Sequence, residues 1–131
     1  MGQPAAKQGD RITATDTHIV LVPSASGTTP VPMPFPFKGI INGNLSSDVL
    51  FDKQPAATKD STAQNTPSHI PRGGSFQRPP TNQGRINSGS STVFINGKPA
   101  ARAGDQAFTC NDPQDQLIGV VVVGRSTILI G

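Results

Sequence analysis

The chain contains two histidines, His18 and His69, and one cysteine, Cys110, and these are its only imidazoles and its only thiol. Taken singly, such residues are most often solvated or packed as small hydrophobes. Their spacing points elsewhere. His18 lies fourteen residues after Pro4, His69 fourteen after Pro55, and Cys110 eleven after Pro99. Each of those prolines opens a Pro-Ala-Ala tripeptide: Pro4-Ala5-Ala6, Pro55-Ala56-Ala57 and Pro99-Ala100-Ala101. One soft ligand per copy of a threefold repeat suits a single metal on the axis. Zinc accepts imidazole nitrogen and thiolate sulfur together and prefers four ligands, so zinc is the expected ion and iron the alternative. The fourth position stays open between water, a backbone oxygen and a carboxylate such as Asp16 or Asp112.

No catalytic motif accompanies this set. Glutamate is absent from the chain, which rules out a His-Glu-x-x-His zinc protease, and neither a Gly-x-Ser-x-Gly elbow nor a Gly-rich phosphate loop occurs. The expectation is a structural metal and no enzyme.

The elements that would position the ligands are repeats. Asp10, Ser61 and Asp105 stand six residues after the three prolines, and Val49 and Val93 stand at one offset before Pro55 and Pro99. The run from Ser91 to Pro99 is echoed from Ser47 to Pro55 and again from Ser126 to Gly131, where the last copy stops short of its Pro-Ala-Ala. The chain begins with Met1-Gly2-Gln3-Pro4, so the C-terminal and N-terminal half-units are expected to join into one non-covalent third repeat, with Ile130 beside Gln3.

Composition fits one small domain over residues 1–131 with a thin core. Gly 14 and Pro 13 are high, hydrophobic residues make up only 34%, and Trp and Tyr are missing. Such content alone would permit disorder, which the repeats argue against. A net charge of +3, with basic residues scattered among eight acids, gives no basic stripe, and nucleic-acid binding is not supported. No stretch is long and apolar enough for a bilayer, and the N-terminus lacks the pattern of a signal peptide. The chain therefore reads as made in the cytoplasm. One cysteine excludes an intramolecular disulfide; a bound metal would add folding energy instead.

The pattern is all-β, without a convincing helix. Val93-Phe94-Ile95 followed by Asn96-Gly97 is a strand ending in a two-residue hairpin turn, with Asp52-Lys53 at the same place in the previous copy. Small alanines in the returning arms fit a crowded centre where three hairpins converge. Leu117 to Val123 and Ile128 to Ile130 read as the most buried strands. Val22 to Phe37, with five prolines, reads as a polyproline-like arm without internal hydrogen bonds. Thr62 to Arg85, carrying His69 and Phe76, reads as a polar excursion.

These residues match a family. Pro99 to Arg102, Pro4 to Lys7, the Ser-Ser-Thr-Val-Phe-Ile-Asn-Gly run from Ser90 to Gly97, and Gly104-Asp105 resemble the PAAR-repeat proteins. Val31-Pro32-Met33-Pro34 and the segment from Asn65 to Pro71 are similar to its longer variants. The resemblance covers most of the chain. It implies a small cone of three pseudo-threefold β-hairpin repeats with long Pro- and Gly-rich loops, capping the spike of a contractile injection system: a type VI secretion system, a phage tail or a phage-tail-like particle. It also implies a zinc site near the apex, in that family three histidines and one cysteine, where this chain offers only His18, His69 and Cys110. The implied partners are a trimeric spike, one tip per trimer, and transiently a target membrane, with assembly at the tip of the machine and delivery outside or into a target cell. The alternative is a metal-binding adaptor that docks toxin cargo on the spike. No fused toxin domain is expected, so cargo would bind non-covalently.

Overall fold

A computed structural model describes residues 2–131, and among these every regular element is a β-strand. The first repeat holds β1 (Gln3–Pro4), β2 (Arg11–Ser24) and β3 (Gly27–Gly43). The second holds β4 (Leu50–Phe51), β5 (Gln54–Pro55), β6 (Thr62–Asn65), β7 (Ser75–Phe76) and β8 (Gln83–Ile86). The third holds β9 (Phe94–Ile95), β10 (Lys98–Pro99), β11 (Gln106–Thr109) and β12 (Gln116–Val122), after which β13 (Leu129–Ile130) returns to the first.

Local chemistry makes the hairpins. Asn96 and Gly97 have φ of 51° and 81°, and Asp52 and Lys53 have 50° and 70°, the two consecutive positive values that a type I′ turn needs. They fold β9 onto β10 and β4 onto β5. The third hairpin is split between the chain ends, β1 pairing with β13 so that Gln3 faces Ile130 and Pro4 faces Leu129. Its register repeats the others: Pro55 faces Leu50 and Pro99 faces Phe94.

Beyond each proline the chain turns inward and meets its neighbours. Ala5 bridges Arg102, Lys7 bridges Ala56 and Thr58 bridges Ala100. Between these bridges a ring closes: Ala6 N donates to Ala101 O, Ala101 N to Ala57 O, and Ala57 N to Ala6 O, each at 3.0 Å. Six alanines around this ring have no exposed surface, which is why the repeat demands Pro-Ala-Ala. The offset of six residues also acquires a cause. Side chains of Asp10, Ser61 and Asp105 accept the backbone N–H of Lys7, Thr58 and Arg102 at 3.0, 2.9 and 2.8 Å, stopping the turn that starts the next strand.

Six strands then rise from the ring in the spatial order β2, β3, β6, β8, β11, β12, and β12 pairs again with β2. Closure removes free edges from this body. Its interior is built of equivalent trios: Ile12, Ala63 and Ala107 form one, Ile41, Ile86 and Val121 another, all buried. Two residues before the second trio stand Gly39, Gly84 and Gly119. A Cβ at Gly39 would come within 2.6 Å of Phe37 Cε1, and one at Gly84 within 3.2 Å of the same atom. Glycine here makes room for the Phe37 ring, which is 1% exposed.

Two expectations are corrected. Val22 to Phe37 is not an unpaired polyproline-like arm: β2 and β3 stay in register from Arg11 opposite Ile40 to Ser24 opposite Gly27. Pro30, Pro32, Pro34 and Pro36 alternate along β3, so the ring nitrogens that cannot donate all fall on the edge away from β2. Nor are Leu117 to Val123 and Ile128 to Ile130 the most buried strands: in the second, Ile128 and Leu129 are exposed and only Ile130 is buried. Ile118, Val120 and Val122 are 42–45% exposed and alternate with the inward Gly119 and Val121, because successive side chains take opposite faces; Leu117, 37% exposed, lies where the register with β11 shifts. The excursion from Thr62 to Arg85 contributes β6 and β8 to the closed body as well as loop. At places equivalent to Ile118, Val120 and Val122 the other repeats carry Lys38, Ile40 and Asn42, or Gln83, Arg85 and Asn87. The apolar outer strip thus belongs to one repeat.

If the alanine ring sets the packing at the axis, Ala57→Leu should lower stability by about 1–3 kcal/mol or more through overpacking. An unchanged thermal transition in that variant would contradict a filled axis.

Candidate metal centre

Further from the ring the interior turns polar. Along the inward face of β2 the sequence runs Ile12, Ala14, Asp16, His18, at the two-residue period of a strand, and Asp16 and His18 have no exposed surface. Cys110, one residue past β11, is equally buried. Its segment is clamped along β2: Asp112 N donates to Thr17 O at 3.0 Å, Thr17 N to Asn111 Oδ1 at 2.9 Å and Ile19 N to Asp112 Oδ2 at 3.1 Å. This fixes the height of the thiol against His18.

His69 arrives from the loop between β6 and β7. Two asparagines hold it there. Asn82 Oδ1 accepts from His69 N at 2.8 Å and from Asn65 Nδ2 at 3.1 Å, while Asn65 Oδ1 accepts from Lys38 N at 2.9 Å. The His69 side chain is 3% exposed. Phe35 and Phe76 pack edge-on to His18, each with its centroid 5.7 Å away, excluding water from that side.

The structure brings His18, His69 and Cys110 together and adds Asp16, with one donor atom of each lying within 4.8 Å of all the others. Cys110 Sγ is 3.7 Å from His18 Nε2 and 3.4 Å from Asp16 Oδ2, and His69 Nε2 is 2.9 Å from Asp16 Oδ2. Thr109 Oγ1 and Asn111 Nδ2 donate to the other carboxylate oxygen, Oδ1, at 2.5 and 3.2 Å. Asp112 faces away, toward Ile19 N and toward Arg78 Nε at 3.4 Å. Burial, followed by the neighbouring His69, lowers the His18 pKa, and burial, followed by Asp16, pushes the Cys110 thiol up to about 12.

These residues fit a metal ion. Two imidazoles, a thiol and a carboxylate converge in a closed pocket, and His18 Nδ1 is a buried ring nitrogen without a hydrogen-bond partner. Holding a His there with an orphan nitrogen costs about 1–3 kcal/mol, an expense that calls for a return at Nε2. Sequence reasoning passed over Asn65, Asn82, Thr109 and Asn111, whose spacing carries no signal apart from the fold. The equal offsets of His18 and His69 do not reflect equal positions either, since one is on a strand and the other in a loop.

The PAAR motif family matches residues 77–131, from the approach to β8 through β13. That span includes the third Pro-Ala-Ala, its hairpin, Cys110 and the apolar outer strip. The match supports a PAAR-repeat protein. A comparison with curated proteins gives no match. Outside the matched span, Pro4 and Pro55 carry the same motif in the same hydrogen-bonded geometry, so the PAAR repeat is threefold. The motif supports, in general terms, a spike-tip protein of a contractile injection system. Among the described residues no helix is long and apolar enough to cross a membrane.

Two measurements follow. Ellman's reagent should find no reactive thiol in the native metal-free protein and one after denaturation; rapid native labelling would mean that Cys110 is not enclosed. The His18 pKa is depressed on folding, so as pH falls through the ordinary value of 6.5 the unfolded chain takes up the proton first. The contribution of neutral His18 is therefore complete above that pH and is lost below it. Denaturant melts of metal-free protein should show stability falling from pH 7 to pH 5, and less so in His18→Phe.

Proposed function

We propose that this PAAR-repeat protein caps a trimeric spike of a contractile injection system, one copy per three spike chains, and acts as a rigid tip that pierces the target membrane. The observation that carries this reading is a trio of exposed apolar side chains. Leu50, Phe94 and Leu129 are 59%, 58% and 65% exposed, and they face Pro55, Pro99 and Pro4 in the three hairpins. Exposed apolar groups mark interaction sites. Three at equivalent points around one axis suit three identical partner chains, where an asymmetric surface would satisfy only one.

The hairpins and the metal centre lie on opposite sides of the alanine ring. His18 stands six residues along β2 from Ile12, roughly 20 Å at about 3.3 Å per residue. The base can thus bind a spike while the far end meets the membrane. His18, His69 and Cys110, one from each repeat, would hold a zinc ion, with iron as the alternative. Its chemistry there is to cross-link; no turnover is required. Separating the repeats under load would then mean breaking several coordination bonds together. The aromatic packing around His18 excludes water from the same point, and the long β2–β3 ribbon continues past it. Made in the cytoplasm, the protein would act only after assembly and discharge of the machine.

A second reading has one observation in its favour. The apolar strip from Leu117 to Val122 is present on one repeat only, so an additional partner could bind once per tip, as an adaptor carrying non-covalent effector cargo would require.

Native mass spectrometry with the cognate spike tests the first reading. A ratio of one tip chain to three spike chains is expected, weakened by Leu50→Asp, Phe94→Asp or Leu129→Asp and abolished when all three are combined. Val120→Lys should leave it unchanged. One tip per spike chain, or no complex, overturns the assignment and leaves the adaptor reading in first place.

A further inference from the structure

We propose that Asp16 is the fourth protein ligand of the metal centre, enclosing the ion between Asp16 Oδ2, His18 Nε2, His69 Nε2 and Cys110 Sγ with no position for water. The inference rests on the metal reading above and goes beyond it, since a centre of two histidines and a cysteine could equally end in a solvent ligand.

Distances between the donor atoms make the argument. With zinc bonds of about 2.0–2.1 Å to nitrogen or oxygen and about 2.3 Å to sulfur, tetrahedral geometry sets neighbouring N or O ligands about 3.3 Å apart and S about 3.6 Å from either. Cys110 Sγ to His18 Nε2 is 3.7 Å, Cys110 Sγ to Asp16 Oδ2 is 3.4 Å, and His69 Nε2 to Asp16 Oδ2 is 2.9 Å. Three edges of a metal tetrahedron are already near their final lengths, two of them end on Asp16, and only the His69–Asp16 edge has to open noticeably. A water ligand would need that vertex. Asp16 cannot retreat to provide it, because Thr109 and Asn111 hold its Oδ1. The same two bonds leave Oδ2 as the free donor and favour single-oxygen coordination.

Charge agrees. Binding sends the Cys110 thiol proton to solvent, and the two imidazoles bind as neutral rings. A divalent ion, one thiolate and one carboxylate then sum to zero in a pocket where Asp16, His18 and Cys110 have no exposed surface. An uncompensated charge in such a place is expensive. With Asp16 as a ligand, the carboxylate that would otherwise be a buried anion becomes the counter-charge of the ion. The resulting set is closed, which is the mark of a structural rather than a catalytic zinc site.

Cobalt(II) added to metal-free protein reads out the coordination directly. Wild type should give a thiolate charge-transfer band and the intense visible absorption of tetrahedral cobalt, and neither should change on adding azide, which has no ligand to displace. Asp16→Asn should lose more than about 100-fold in cobalt affinity, beyond the 10–100-fold typical of an outer-sphere partner. Asp16→His, which restores a fourth ligand, should recover a tetrahedral spectrum with shifted bands. A spectrum altered by azide in wild type, or unchanged affinity in Asp16→Asn, overturns the role of Asp16 while leaving the metal reading intact. Wild type that binds neither cobalt nor zinc overturns the metal reading itself. The azide experiment needs no variant, so it decides the matter even if the substitutions prevent folding.

Discussion

Three backbone hydrogen bonds among Ala6, Ala57 and Ala101 are the constraint from which the rest of the structure follows. A closed ring of main-chain donors and acceptors draws three chain segments to one axis, and only a methyl group fits beside each of them. On one side of the ring lie the short hairpins; on the other lies the closed body with its loops. The ring also explains how a chain poor in large apolar residues can hold together. Its central backbone groups are paired with one another rather than left to a hydrophobic shell, and the equivalent trios above them fill a narrow interior with few atoms.

Symmetry is kept at the hairpins and abandoned at the far end of the body. At the hairpins the register and the exposed Leu50, Phe94 and Leu129 repeat around the axis. At the height of the metal centre the three repeats differ completely. The first contributes a continuous strand with Asp16 and His18, the second a loop pinned by Asn65 and Asn82, and the third a segment hydrogen-bonded along β2. A single ion on an axis does not need three identical ligands; it needs donors delivered to one point. Under the proposed function, a base that meets three identical chains would need three similar faces.

What was legible in the sequence follows the same division. The Pro-Ala-Ala copies, the residues six positions later, the Asn96-Gly97 turn and the joining of Gln3 to Ile130 are local or strictly periodic, and a reader of residues can see them. The convergence of His18, His69 and Cys110 was also visible, though the equal offsets of His18 and His69 belong to unlike places in the fold, so the spacing was a pointer and not a mechanism. The β2–β3 ribbon was hidden because alternating prolines look alike in a free polyproline arm and on the outer edge of a strand. The exposure of β12 was hidden because its outer face breaks polar alternation, and only ring closure tells which of two apolar faces is inside. Asp16 could not be chosen over Asp112 without knowing that the first points along the inward face of β2 and the second caps Ile19 N.

Stability and function meet in the change from apolar to polar interior along β2. Ile12 lies in the hydrophobic part, and only four residues later Asp16 begins a cluster whose burial would be a liability in a metal-free core: a carboxylate, two imidazoles and a thiol, with one ring nitrogen unpartnered. A protein under no demand at that end could have continued the apolar trios. Instead the interior exchanges packing, which weakens gradually as parts are pulled apart, for a set of directional donors that favour one arrangement around an ion. Loading should therefore stiffen the far end while leaving the alanine ring and the hairpin base unchanged, because the ring's hydrogen bonds are satisfied without it. Under the proposed function, that separation would let one short chain be adapted to a symmetric partner at its base and made resistant to splaying at its tip.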